Sequence, residues 1–306
     1  MRRVQPSPNP WLSLRLVMAA VVTTVLAAVV YVLLVHTALG QRFDNAALLG
    51  SHEQQVSTRT NDISRLQRIT ADSFAVVLAV LVVLGLVRRR PRLGIGVAVA
   101  AGIAVVGTDL LRKVILDRPL LVHSDRFFPV NTFPSGHTAT AIACALALVV
   151  VSPPAWRGIS AVLAGSYAWF TAAAVQTAGW HRPSDAIGAA FLGFAAIAMV
   201  AAIVAAWRPV GSGRRFGHVP AFVVLSIVWL VAGALSALNA ARVLRVLAVQ
   251  PDSLTPTPAI LNDAYQFSVN LTIVVVVSLL GALLVLLGPY DLDQPTSTFS
   301  APSRRR

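Results

Sequence analysis

The chain has 306 residues, of which 56% are hydrophobic and only 12% charged, and its mean hydropathy is +0.73. A water-soluble domain of that length needs more polar surface, so the composition is that of a membrane protein. The formal net charge of +13 does not indicate a nucleic-acid binder, because the arginines fall in short clusters between apolar runs and not along one soluble face.

Eight apolar runs follow one another, at about 15–38, 70–87, 93–115, 137–152, 159–180, 184–207, 220–241 and 267–288. The first, preceded by Arg2 and Arg3, is longer than the apolar core of about 7–15 residues that a cleaved leader carries, and it predicts a retained helix. No run alternates as a barrel strand does, so all eight predict helices, which satisfy their own backbone hydrogen bonds in lipid. The expected fold is an all-α integral membrane bundle of about eight transmembrane helices. Gly94, Gly96, Gly102, Gly107, Gly188 and Gly193 predict close helix–helix approach. Cys144, the only cysteine, reads as a small core residue.

Between the runs, segment 39–69 predicts an interfacial helix or a lid. Segment 242–266, with Pro251, Pro256 and Pro258, predicts a loop, and the tail from Pro289 predicts disorder. Short segments dense in arginine (Arg88, Arg89, Arg90, Arg92, Arg157, Arg208) put both termini on the cytoplasmic side. Arginine almost replaces lysine, a bias that fits a GC-rich bacterial genome.

Three polar clusters fall at run ends, and this topology puts them on the same outer face. The first is DLLRKVILDRP, residues 109–119, which holds the chain's only lysine, Lys113, with Arg112 beside it and Arg118 further on. Asp109 lies one helical turn before Lys113, so the two can pair. The second, Asn131-Thr132-Phe133-Pro134-Ser135-Gly136-His137, opens an apolar helix. Ser135 suits the N-cap and Gly136 admits a ligand close to the backbone; a helix N-terminus favours an anion. The third, Trp180-His181-Arg182-Pro183-Ser184-Asp185, opens another helix with Pro183 at its first position. His181 and Asp185 are four apart, so the carboxylate can orient the imidazole. Each cluster also has a plainer reading as interfacial or capping residues. Together, a cationic pair, a helix start bearing one His and an Asp-oriented second His describe phosphoryl transfer without a metal.

These clusters resemble the type 2 phosphatidic acid phosphatase superfamily, which also includes the vanadium haloperoxidases. The family pattern is KxxxxxxRP, PSGH and SRxxxxxHxxxD. Pro134 to His137 match the second motif in full, His181 and Asp185 match the end of the third, and Arg118-Pro119 match the end of the first. The resemblance covers about residues 70–207. Two positions depart from it. The family lysine falls on Leu111, with Arg112 and Lys113 close by, and the family's Ser-Arg falls on Ala174 and Val175. Arg182 and Arg112 are the candidate substitutes for the missing cation.

The resemblance implies that His181 attacks phosphorus, Asp185 orients it and His137 protonates the leaving oxygen. Arg118, Ser135 and Gly136 hold the phosphoryl group, with Lys113 the shifted cation. It implies a six-helix core, no cofactor and no metal. His36, His52, His123 and His218 read as surface residues. The expected organisation is 1–69 (first helix and outer loop), 70–207 (phosphatase-like core), 208–288 (two further helices) and 289–306 (tail). The expected function is hydrolysis of a lipid phosphate or diphosphate at the bilayer, with phosphotransfer and a catalytically impaired lipid-binding scaffold as alternatives.

Overall fold

A computed structural model describes residues 7–122, 131–212, 218–249 and 256–294. Among them the chain forms ten α-helices: α1 (Pro10–Val30), α2 (Ala38–His52), α3 (Val56–Leu66), α4 (Ala71–Val87), α5 (Pro91–Leu110), α6 (Gly136–Val151), α7 (Arg157–Thr177), α8 (Pro183–Trp207), α9 (His218–Val249) and α10 (Pro258–Leu287). α1 and α5 each end in a π-helical turn, Tyr31–Val35 and Leu111–Ile115. A short antiparallel pair, β1 (Gly211–Ser212) with β2 (Tyr290–Asp291), sits beyond α8 and α10. The fold is an all-α membrane bundle.

All eight apolar runs are helical, but not all have spanning length. Among the described residues six helices are long and apolar enough to cross a membrane: Pro10–Val35, Pro91–Ile115, Arg157–Thr177, Pro183–Trp207, Pro220–Val249 and Pro258–Leu287. α3 and α4 supply a seventh only as a pair bent by 59°, and α6 is an apolar helix of 16 residues. α6 is short because it lies inside the bundle, where Ile142, Leu146, Val149 and Val150 are fully buried, so protein and not lipid sets its length.

α8 is the axis, the most thoroughly buried of the six. Its Ala186, Ala189, Ala190, Gly193, Ala198, Ala201 and Ala205 let α1, α5 and α6 pack against it from several sides. A methyl at Gly193 would come within 2.7 Å of Ile142 on α6, and one at Gly188 would overlap the Phe133 ring. Gly85 and Gly94 abut where α4 turns into α5; a Cβ on Gly85 would lie 2.6 Å from Gly94 Cα. Gly102 and Gly107 face open space, so the close approach expected of them is not made.

The structure bears out helix in the first connecting segment and corrects its lid reading, and it corrects two further expectations. Segment 39–69 holds two helices, and α2 is not a surface lid: it packs on α10 with Phe43, Ala46 and Ala47 buried against Val243, Leu247, Leu261 and Ala264. The predicted loop 242–266 is mostly helix, because α9 runs on to Val249 and α10 starts at Pro258; Pro258 occupies the first turn, where a missing N–H costs nothing. The predicted disorder from Pro289 does not hold for 289–294. There Arg88 and Arg90 bind the two Asp291 oxygens at 2.9 and 2.6 Å, and Arg208 binds Asp293 at 2.8 Å. Arg157, fully buried, donates to the Tyr290 carbonyl. Arginines drawn out of water need such partners, and the tail supplies them. The rest of the predicted tail, 295–306, and His123 lie outside the described residues.

Candidate active site

The three polar clusters meet at the end of the bundle away from β1 and β2. α7 stops in a Schellman turn. Gly179 takes the left-handed backbone, with φ +71°, that closes such a turn and that glycine adopts without strain. Its N–H donates to Gln176 O at 2.9 Å, and the Trp180 N–H donates to Val175 O at 3.1 Å. The reversal leaves His181 and Arg182 directly ahead of Pro183, which starts α8.

His181 and Asp185 then lie one turn apart. His181 Nδ1 is 3.2 Å from Asp185 Oδ2, and the Arg182 N–H donates to that same oxygen at 2.9 Å. Both side chains are buried. With Nδ1 held by the carboxylate, Nε2 is the ring nitrogen left for chemistry, and among the described residues it has no hydrogen bond. His181 and Arg182 line a cavity of about 260 Å³ together with Leu48, Thr132, Gly179 and Trp180. That is just under the usual range of small-molecule sites, about 300–1,000 Å³.

The PSGH segment docks beside this pair. Ser135 is the N-cap of α6, its Oγ accepting the Thr138 N–H at 3.4 Å, while its own N–H donates to Asp185 O at 3.0 Å. Ser135 is fully buried, so its hydroxyl serves the helix start. A Cβ at Gly136 would meet nothing within 4 Å, which leaves the first turn of α6 open to a ligand. His137 is half-buried, its ring 5.4 Å from the Trp180 ring, and it lies within Coulombic range of His181 and of Arg112. Asn131 ties the approach to α5: its side chain donates to Leu116 O at 2.8 Å and Arg112 O at 3.2 Å, and accepts the Phe133 N–H.

The cations divide. The Arg118 side chain is buried, and its Nη2 donates to Asp44 at 2.8 Å and Ser184 Oγ at 3.1 Å, with Asp185 Oδ1 at 3.7 Å. Arg182 is buried too, its Nε donating to Asn45 Oδ1 at 3.2 Å and its Nη1 to Thr132 Oγ1 at 3.3 Å. Burial holds the Arg182 guanidinium below its usual range. Lys113 stands apart. It pairs with Asp109 at 2.5 Å, as its spacing predicts, but its side chain is 64% exposed. Arg112 shares Asp109 and is 26% exposed. The π-helical turn at Leu111–Ile115 underwinds the helix here, so residue spacing no longer reports which face a side chain takes.

A family model described as the PAP2 superfamily matches residues 16–209. The chain belongs to the PAP2 superfamily. No match to a curated protein or to a solved structure accompanies it. The match starts inside α1, well before the region the motifs covered, and so takes α2 into the PAP2 unit. PAP2 membership supports a phosphatase acting on phosphate esters.

The structure also accounts for the third-motif departure. Ala174 and Val175 pack into a buried apolar cluster with Leu66, Ala178 and Ala186, which side chains of their size and polarity fill. Gln176 and Thr177, the nearest polar residues, turn the other way: Gln176 bonds Thr272 and Ser268 on α10, and Thr177 bonds Tyr265. Arg182 therefore supplies the buried cation nearest His181 in sequence. Among the described residues no group of three His, Cys, Asp or Glu is placed to hold a metal ion.

Sequence reasoning missed Asp44 and Asn45. The available signal was spacing: Gln41, Asp44 and Asn45 at i, i+3 and i+4 put three polar residues on one helix face, with Leu48 one turn further on. Asp44 is fully buried, and burial pushes its carboxyl above the ordinary value against the pull of Arg118. His36 is exposed near Asp117, and His52 is half-buried against Gly179.

Proposed function

We propose that this protein hydrolyses a lipid phosphate or diphosphate at the membrane surface through a phosphohistidine on His181. The observation that carries this reading is the buried His181–Asp185 pair in the wall of a cavity shared with Arg182. His181 Nε2 attacks phosphorus, the phosphorus–oxygen bond to the leaving group breaks, and His137 delivers the proton that the leaving oxygen takes up. Water then attacks the phosphohistidine, giving its proton to His137 and releasing phosphate and His181. Asp185 holds Nδ1–H and stabilises the positive ring. Arg118, Arg182 and the open first turn of α6 at Gly136 offset the charge on the phosphoryl oxygens. This chain of steps uses no metal ion or cofactor.

A lipid substrate fits a site at the end of a bundle of apolar helices, and exposed Val114, Ile115, Leu120 and Leu121 flank Arg118. Segments dense in arginine at the opposite end support cytoplasmic termini, with the site facing outward across the plasma membrane. Retention of both histidines, the carboxylate and a substitute guanidinium argues against a decayed scaffold.

The test is purified protein in detergent with EDTA, offered phosphatidate, phosphatidylglycerol phosphate and polyprenyl diphosphate. Release of inorganic phosphate that disappears in His181→Ala supports the reading. No release from any of them, or release untouched by His181→Ala, refutes it. A phosphorylated acceptor in place of free phosphate would mark a phosphotransferase.

A further inference from the structure

We propose that Asp44 and Asn45, adjacent residues of α2, are positioning residues for the two site guanidiniums. This rests on the phosphatase reading above. α2 presents one face to the site. Gln41 Nε2 donates to Pro119 O and Oε1 accepts the Leu121 N–H at 3.2 Å, which fastens the chain just after Arg118. One turn on, Asp44 Oδ2 accepts from Arg118 at 2.8 Å and from Ser184 Oγ at 2.5 Å, while Oδ1 accepts the Ser184 N–H at 3.2 Å. Asn45 accepts from Arg182, and Leu48 lines the cavity. Residues at i, i+3, i+4 and i+7 share one helix face, so a single helix orients both cations and one cavity wall.

The charges explain why a carboxylate belongs there. Arg118 is buried with its Nη2 committed to Asp44 and Ser184, and its Nε–H is buried without a partner. Asp44 thus fixes one part of the fork, while another of its donors is left without a protein acceptor. Asp44 also competes with phosphate for the same guanidinium. Its removal should tighten the binding of phosphate in the ground state while loosening the geometry that the transition state needs. A residue that merely supports folding would weaken both together.

The experiment compares Asp44→Asn with wild type, alone and in an Arg118→Ala background, and Asn45→Ala alone and in an Arg182→Ala background, in the full chain in detergent. Asp44→Asn should lower kcat by about ten- to a hundredfold, the range of one hydrogen bond to a charged group, with the Kd for inorganic phosphate lower and KM no higher. In the Arg118→Ala background the same substitution should change kcat by less than about twofold, the non-additivity of coupled neighbours. Asn45→Ala should behave likewise against Arg182→Ala, and serves as the test if Asp44→Asn does not fold. Equal losses in both backgrounds, with kcat and phosphate affinity falling together, would overturn the assignment. If wild type hydrolyses none of the esters the phosphatase reading fails. Calorimetry with inorganic phosphate then still decides this one: affinity must respond to Asp44→Asn only when Arg118 is present.

Discussion

Asp185 Oδ2 lies 3.2 Å from His181 Nδ1 and accepts the Arg182 N–H as well, so one buried oxygen fixes both the imidazole and the first turn of α8. The helix start and the candidate nucleophile are one construction. Asp185→Asn offers an amide in place of the acceptor pair and no longer stabilises a charged ring. It should lower kcat by about 100-fold or more while KM moves little. Steady-state phosphate release checks this, and a loss confined to KM would contradict the orienting role.

Arg112 and Lys113 should differ in the direction their exposure sets. Lys113 is mostly in solvent on Asp109, and an exposed pair contributes little. Arg112 is more enclosed and within Coulombic range of His137. Arg112→Ala should lower kcat/KM by about tenfold or more, and Lys113→Ala by less than about twofold. The reverse order would return the family lysine's place to the lone lysine.

Restoring the family arginine should fail. Val175 is fully buried among Leu66, Ala174 and Ala178. The side chain is closed in by that cluster, so Val175→Arg overpacks it and should cost several kcal/mol and yield little folded protein, on the order of the penalties for overpacking and for burying a charge. Size-exclusion chromatography and thermal unfolding in detergent are the readouts; a stable, faster enzyme would show that the site reaches this position.

The far end should matter for stability and not for chemistry. Asp291→Ala leaves Arg88 and Arg90 without their shared carboxylate. The expected loss is about 3–5 kcal/mol, seen as a lowered Tm, with kcat of the folded protein within about twofold of wild type. A large fall in kcat at unchanged Tm would tie this end to the site.

Asp44 gives a pH dependence with a definite sign. Its folded pKa is raised, so its proton binds more tightly in the folded state. The stability this adds is full below the ordinary carboxylate value and is lost as pH rises through the raised one. Wild type should therefore lose stability relative to Asp44→Asn as pH rises through that window. Unfolding midpoints of both proteins across acid to neutral pH measure it; a constant difference would mean Asp44 does not titrate differently on folding.

The sequence by itself determined the membrane class, the helical character of all eight runs, the Ser135 cap, Pro183 at a helix start and the His181–Asp185 pairing. Each is a relation within one apolar run or one helical turn, and run length and turn chemistry fix such relations without knowledge of what packs beside them. Tertiary structure decided the rest. It took α2 out of a presumed surface loop and set Asp44 on Arg118 across 74 positions, buried the Val175 side chain in an apolar cluster, turned Lys113 outward where a π-helical turn breaks the helical count, and anchored 289–294 on the arginines of the far end. All of these depend on which groups are drawn out of water together. A charge removed from solvent needs a partner, and the chain supplies that partner from whichever helix the packing brings near.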